Sequence, residues 1–402
     1  MRTALTGLKV VDFTQIGAGP TCTMMLADMG ADVVKVEAPE GEIGRTLGPP
    51  WIGADAALFH AFNRNKRGLV LDLKAPAGVA VAQRLAAHAD VVIESMRPGV
   101  MARLGLGHEA LLRAHPRLVY CSISAYGQTG PYAGRAGVDG ILQADTGLMG
   151  LIGAPGAAPA KVQAPIVDVV TGYLACIAIL AKLRERDAQG QGGHLDVNLM
   201  NAALALQQSA LASYLANGEL PQPMGSAAPY SAPNEALPTQ DGWIMLAAYN
   251  GERWPRLCQA LDAPELLADP RFGTSPQRVA HRPAMRDALA ERLRRHSTAH
   301  WLRVLQQADI LCAPVASYAD VEQHPQVAAN RMIASVADPE LGSVRMPGFP
   351  INSAVSAAMP HRAAPRRGEH SSAILREAGY SAQQIAELED TGVLGAASLA
   401  QA

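Results

Sequence analysis

Along the first third of the chain, compact apolar runs alternate with stretches whose apolar residues recur at helical spacing. "LKVVDF" (8–13), "ADVVKVEAP" (31–39), "DVVIESM" (90–96) and "RLVYCSIS" (117–124) are runs of the first kind, short and rich in β-branched residues, and they predict buried strands. "PTCTMMLADMG" (20–30), "PAGVAVAQRLAAHA" (76–89) and residues 108–115 predict helices; Gly30 ends the first, and Pro39 closes the strand that follows it. Strands alternating with helices imply a parallel sheet with helices on both faces. The expected fold class is α/β, with a doubly wound, Rossmann-like large domain.

The second half changes character. From Asp168 to Glu185 the pattern is helical, and 189–218 predicts a strand and then one long helix. Residues 219–235 are rich in Pro, Gly, Ser and Ala and form a plausible crossing linker. "ALPTQDGWIMLAAY" (236–249) predicts a hairpin around Asp241–Gly242, and helices follow at 250–262, 276–295 and 298–308, a smaller α+β domain. Strand character resumes at 342–353, 371–394 is helical, and the Ala-rich 395–402 predicts a frayed tail.

Composition narrows the classes. At 402 residues, 49% apolar and 17% charged, the chain can build large cores. A formal net charge of −2 gives no basic field for nucleic acid or an anionic membrane, so an anionic ligand must be held by local Arg and Lys. The five cysteines are scattered, odd in number and without a CxxC pair, which predicts reduced thiols in the cytoplasm. The longest apolar stretches, including 173–181, fall short of the roughly 18 residues of a membrane span.

Several motifs could carry chemistry. "GAGPTC" (17–22), with Glu37 twenty residues after Gly17, has the outline of a dinucleotide fingerprint, although Cys22 replaces the third glycine. An ordinary α/β first turn fits the same residues, since Pro20 suits a helix start. Arg64, Lys66, Arg67 and Lys74 gather around a short strand, and Arg97 and Arg103 follow another strand's carboxyl end. Cations there suit phosphates, whereas a solvated charged loop is the plainer reading. "HSTAH" (296–300) has metal-like spacing but Ser297 stands where a zinc protease carries Glu, so a helix surface is expected and no metal.

Asp168 stands out at the front of "APIVDVVTGYLACIAIL" (164–180). A carboxylate is costly to bury unless it is paired, hydrogen-bonded or at work. As an N-cap it would accept from the Val170 or Thr171 amide. As a reactive group it would draw support from the same helix terminus.

Together these stretches resemble the class III CoA-transferases, the CaiB/BaiF family. The likeness runs from "LTGLKVVDFTQIGAGPTCTMMLADMGADVVKVEAPEG" through "FNRNKRGLVLDLK", "RPGVMARLGL", "SAYGQTGPYAGRAGVD", "GQGGHLDVNLMNAAL", "PTQDGWIMLAAYN" and "ILCAPVASYADVEQHPQV" to "RRGEHSSAILREAGYS". It implies an interlocked homodimer and no permanently bound cofactor, CoA thioesters being substrates. It also implies four stretches: 1–200, the first part of a large CoA-binding domain; 201–235, helix and linker; 236–320, a small α/β domain; and 321–402, the return to the large domain. Asp168 falls on the family's catalytic aspartate. Gly17, Ala18, Leu71, Asp72, Leu73, Lys74, Ser95, Met96, Arg97, Arg103 and Arg135 fall at positions implied to contact CoA. Ala38 and Gly17 stand where formyl-CoA transferases carry arginine and glutamine, and "MGSAAPYSAP" (224–233) is the nearest equivalent of their glycine-rich lid. The racemase branch of the fold pairs the aspartate with a histidine after "RAG", where this chain has Val138, so transfer is the expected reaction. A short donor such as succinyl-CoA and a carboxylic-acid acceptor are the expected substrates.

Overall fold

The computed structural model describes residues 4–352 and 362–395; the tail read as frayed beyond 395 and the last residue of the 342–353 strand lie outside them. The chain forms two compact units. One is drawn from 1–148, 162–216 and 326–402, the other from 149–161 and 217–325.

The first unit is built on a six-stranded, all-parallel sheet. Its strands are β1 (Lys9–Phe13), β2 (Asp32–Glu37), β3 (Arg67–Val70), β4 (Val91–Glu94), β5 (Val119–Ser124) and β6 (Gly193–Asn198). They lie in the order β3-β2-β1-β4-β5-β6, so the direction of winding reverses between β1 and β4. Successive side chains alternate between two cores. Val10, Val33, Val91, Ile93, Val119 and Cys121 face one, shared with helix α1 (Ala18–Asp28) and the long helix Ile166–Gln189. Val11, Phe13, Val34, Val36, Leu69, Val92 and Tyr120 face the other, shared with helices Pro76–Ala87, His108–Ala114, Ser371–Glu377 and Ala382–Asp390. Burial on both faces is why these strands read as nearly continuous apolar runs.

Every residue of α1 is buried, and it packs closely on the long helix. A Cβ at Gly172 would stand 2.5 Å from the Ala18 carbonyl oxygen, so glycine there lets the two backbones meet. The long helix corrects one expectation. Its 24 residues include an 18-residue window of mean hydropathy 2.0, long and apolar enough by composition to cross a membrane. Val167, Thr171, Gly172, Ala175, Cys176, Ile179 and Leu183 are instead buried against the protein's own core.

The second unit carries a three-stranded antiparallel sheet with Trp243–Ala247 in the centre, flanked by Asn234–Pro238 and Leu311–Pro314. The expected hairpin is present, Trp243 opposite Pro238. Helices Arg253–Ala260, Arg282–Leu293 and Thr298–Gln307 bury Trp254, Leu257, Leu289 and Trp301 against it.

Three expected helices are each two. That at 276–295 breaks at His281 because Pro283 lacks an amide for the preceding turn. That at 371–394 breaks around Gly379, at φ 83°. That after β6 breaks at Gln207, whose side chain turns back to the Ala203 and Thr146 carbonyls at 3.0 and 3.2 Å. The short helices Ala57–Asn63 and Asp139–Asp145, and the strand Ile333–Asp338 beside Gly342–Pro347, were not apparent from the pattern.

Candidate active site

In a doubly wound sheet the crevice for ligands opens where the winding reverses, beyond the carboxyl ends of the strands. Here Thr14–Gly17 leaves β1 and Ser95–Pro98 leaves β4, and the two segments meet: Gln15 N–H donates to Ser95 Oγ at 3.1 Å. Gly17 then opens α1. A Cβ on Gly17 would lie 2.5 Å from Asp168 Oδ2, so the absence of a side chain lets the carboxylate rest against this turn.

Asp168 is not an N-cap. The long helix begins at Ile166 with Pro165 at the cap position, so Asp168 sits in the first turn and its side chain caps nothing. The capping is done from outside. Asp139 Oδ2 accepts the Val167 amide at 2.8 Å and the Asp168 amide at 3.3 Å, while Oδ1 accepts Gln143 Nε2 at 2.6 Å. This leaves the Asp168 carboxylate without a hydrogen bond or ion pair among the described residues. Burial pushes its pKa up to about 7, and the neighbouring Asp139 charge adds to the rise. A helix N-terminus opposes that rise only in part.

The basic residues sort into two groups. Lys74, Arg97 and Arg103 are exposed and form no ion pair among the described residues, as a phosphate site requires. Arg64, Lys66 and Arg67 correct the phosphate reading. Arg64 is buried on Asp28 (2.5 Å), Lys66 on Asp12 (3.2 Å), and Arg67 bridges Asp32 (2.6 Å) and Glu377 (2.8 Å). Glu37, the acid of the dinucleotide outline, is buried and gripped by Arg45 through two bonds of 2.6 Å, a structural ion pair rather than an acid open to a ribose.

Of the other expected contacts, Ala18 and Leu71 are buried side chains, so only their main chain can face a ligand. Leu73 packs on the second core, and Asp72 Oδ1 accepts the Lys74 amide at 2.9 Å, shaping the turn after β3. Met96 N–H is held by Glu94 at 2.8 Å. Arg135 stacks on Tyr132 (4.1 Å) and lines an open cleft with Tyr126, Ile141 and Asp145. Its contacts do not join it to Gly17, Ser95 or Asp168. Val138 is exposed directly before Asp139 and offers no proton.

Segment 224–233 is pinned within the second unit at its far end. Arg278 donates to the Ala232 carbonyl (2.7 Å), and Arg282 to those of Ala228 and Ser231 (2.6 and 2.9 Å). His296 and His300 stack at 4.2 Å, and no group of metal-ligating side chains occurs among the described residues. Asp139 went unremarked in the sequence because it caps a helix that begins 27 residues later (166 − 139), beyond the reach of any local capping pattern.

A carboxylate without partners, resting against a glycine turn, can act as a nucleophile without prior deprotonation above about pH 7. Comparisons with known proteins bear on what it attacks. The model of "CoA-transferase family III" matches residues 5–371. The human protein named succinyl-CoA:glutarate CoA-transferase is 34% identical over 97% of this chain and 90% of its own length. Succinate–glutarate CoA-transferase of Agrobacterium fabrum is 37% identical over 93% and 95%, and acetyl-CoA:oxalate CoA-transferase of Acetobacter aceti 36% over 92% and 95%. Among solved structures, a CaiB/BaiF family protein from Brucella suis superposes with a TM-score of 0.86 at 37% identity, covering 94% of this chain and all of that one.

Proposed function

The chain belongs to CoA-transferase family III, and from that premise we propose that Asp168 is the residue through which CoA passes from donor to acceptor. The observation that carries the reading is an unpartnered, part-buried carboxylate resting on Gly17 at the sheet's switch point. An Asp168 oxygen attacks the donor thioester carbonyl; the C–S bond breaks, giving an acyl–aspartyl anhydride and CoA thiolate. The thiolate attacks the aspartyl carbonyl, the C–O bond breaks, and the donor acid leaves as its carboxylate. The acceptor carboxylate then displaces thiolate from the aspartyl thioester, and thiolate attacks the acceptor's acyl carbon to regenerate Asp168. Each leaving carboxylate resembles the nucleophile, so no step needs a strong base. Amides at the start of α1 are suited to stabilising the oxyanions, since those of Val167 and Asp168 are already taken by Asp139. Val138 cannot exchange a proton, which disfavours racemisation.

Lys74, Arg97 and Arg103, with the main chain of Gly17, Ala18 and Leu71–Lys74 and with Ser95 and Met96, hold the CoA portion in this reading. Succinyl-CoA is the favoured donor and a short dicarboxylate the favoured acceptor, as the names of the relatives suggest. The working form is an interlocked homodimer. Tyr173, Leu174 and Ile177 on the long helix, with Leu206, Leu211, Tyr214 and Leu215, are exposed apolar side chains that a second copy would cover. Five unpaired cysteines suit a reducing cytoplasm. The test is to incubate enzyme with succinyl-CoA, trap with hydroxylamine or borohydride, and map the modified peptide. Modification at Asp168 supports the reading, and an unmodified Asp168 during turnover overturns it. Donor and acid panels read by mass then fix the substrate pair.

A further inference from the structure

Behind the Thr14–Gly17 turn lies a ring of buried polar side chains that the proposed reaction does not use. Asp12 accepts the Thr14 amide (2.8 Å), the Thr23 hydroxyl (2.6 Å) and the Lys66 ammonium (3.2 Å). Lys66 donates to Asn63 (2.7 Å), and Asn63 to Glu42 (3.5 Å). Glu42 pairs with Lys35 (3.3 Å), which donates to the Thr14 carbonyl (3.0 Å) and so closes the ring. All five of Asp12, Lys35, Glu42, Asn63 and Lys66 are buried.

One contact leads from this ring towards Asp168. Glu42 Oε2 accepts the Ile16 amide at 3.0 Å. Ile16 has φ 69°, a left-handed conformation that β-branched residues rarely adopt, and Gly17 follows it. Glu42 is itself held in place, its amide donating to Glu37 Oε2 (3.0 Å), which Arg45 grips. A Cβ at Gly44 would lie 2.8 Å from Glu42 Oε1, so a glycine lets this loop close over the carboxylate.

We propose that Glu42 is a positioning residue for the covalent step: it holds Ile16 in its strained conformation and thereby keeps Gly17 seated against the nucleophile. The inference rests on the assignment of Asp168 above. Were Ile16 to relax, the Gly17 peptide would swing and the attacking oxygen would lose its alignment, and a misplacement of about 1 Å can slow such a reaction by about a hundredfold. Binding of CoA draws chiefly on the exposed cations, with the Gly17 main chain as one contact among several, so affinity falls far less than the rate.

Rapid-quench measurement of the Asp168 adduct, beside calorimetric CoA binding, tests this. Glu42→Ala is expected to slow adduct formation by about 30-fold or more while CoA Kd stays within about threefold. Adding Ile16→Gly is expected to recover about tenfold, because glycine adopts the left-handed conformation unaided. Should Glu42→Ala not fold, Ile16→Pro carries the test at a half-buried turn, since proline holds φ near about −65°. Its adduct formation should collapse while CoA affinity falls by no more than about threefold. Parallel losses of rate and affinity, no recovery with glycine, or an unimpaired proline variant would each overturn the proposal. Asp168→Ala runs as control: an adduct formed there overturns the nucleophile assignment instead.

Discussion

Two kinds of buried carboxylate stand within one domain. Asp12 and Glu37 are deeply buried, yet both are held below their usual pKa, because neighbouring cations and donors outweigh the desolvation that opposes them. Asp28 is equally buried and meets Arg64 and Asn65. Asp168 is less deeply buried and yet is pushed up to about 7, because no cation or hydrogen-bond donor side chain offsets its desolvation and Asp139 repels it. Burial alone therefore does not mark a reactive acid. What sets Asp168 apart is burial without a partner: Glu94 is also pushed up to about 7 by burial, yet it accepts the Met96 amide.

Removing the unpartnered carboxylate should have the largest effect. Asp168→Ala is expected to lower transfer by about 10⁴-fold or more, measured as label exchange between acids, with the fold retained. Asp168→Asn sharpens the contrast through stability. The folded-state pKa exceeds the unfolded value, so the wild type binds more protons folded than unfolded between about pH 4 and 7 and loses stability as pH rises through that window. The Asn variant should accordingly melt higher at pH 8 by a few degrees, about 1–3 kcal/mol, and show no such gain at pH 4. Equal melting at pH 8 would mean that Asp168 is better solvated than its surroundings imply.

Making a partnered acid resemble Asp168 should be the next largest disturbance. Arg64→Ala strands Asp28 and is expected to destabilise the fold by about 3–5 kcal/mol in denaturant titration. A loss under 1 kcal/mol, as surface pairs give, would break the contrast. The cations divide in the same way. Arg97→Ala or Arg103→Ala should raise KM for acyl-CoA about tenfold with little change in melting, whereas Arg67→Ala should leave KM unchanged. The smallest effect is electrostatic. The rate with acyl-CoA should rise with pH to a plateau above about 7, and Asp139→Asn should move that inflection down by about one unit, since a like charge is lost. An inflection that does not move would mean that Asp139 acts on Asp168 only as a helix cap.

The sheet was legible because a strand buried on both faces needs apolar residues along its whole length, as β1, β2, β4 and β5 display. Asp168 was conspicuous because it interrupts such a run. Its place in the helix was not legible, since Ala164–Pro165 hides a start three residues earlier than the local cap pattern suggests. Nor was the division among the cations. Arg64, Lys66 and Arg67 find their carboxylates 36, 54 and 35 residues away, which no local pattern reports. Only the parallel winding of β1, β2 and β3, which brings chain-distant positions side by side, makes them partners.

The long helix Ile166–Gln189 bears on how the protein is made. Its apolar segment would suit a lipid bilayer as well as a protein core, and an unprotected stretch of that kind invites aggregation or misdirection during synthesis. The surface that receives it, α1, is encoded some 140 residues earlier, and β1 to β5 also leave the ribosome first. The helix therefore leaves the ribosome after most of the segments it packs against, so the order of the chain shortens the time its apolar face stays uncovered.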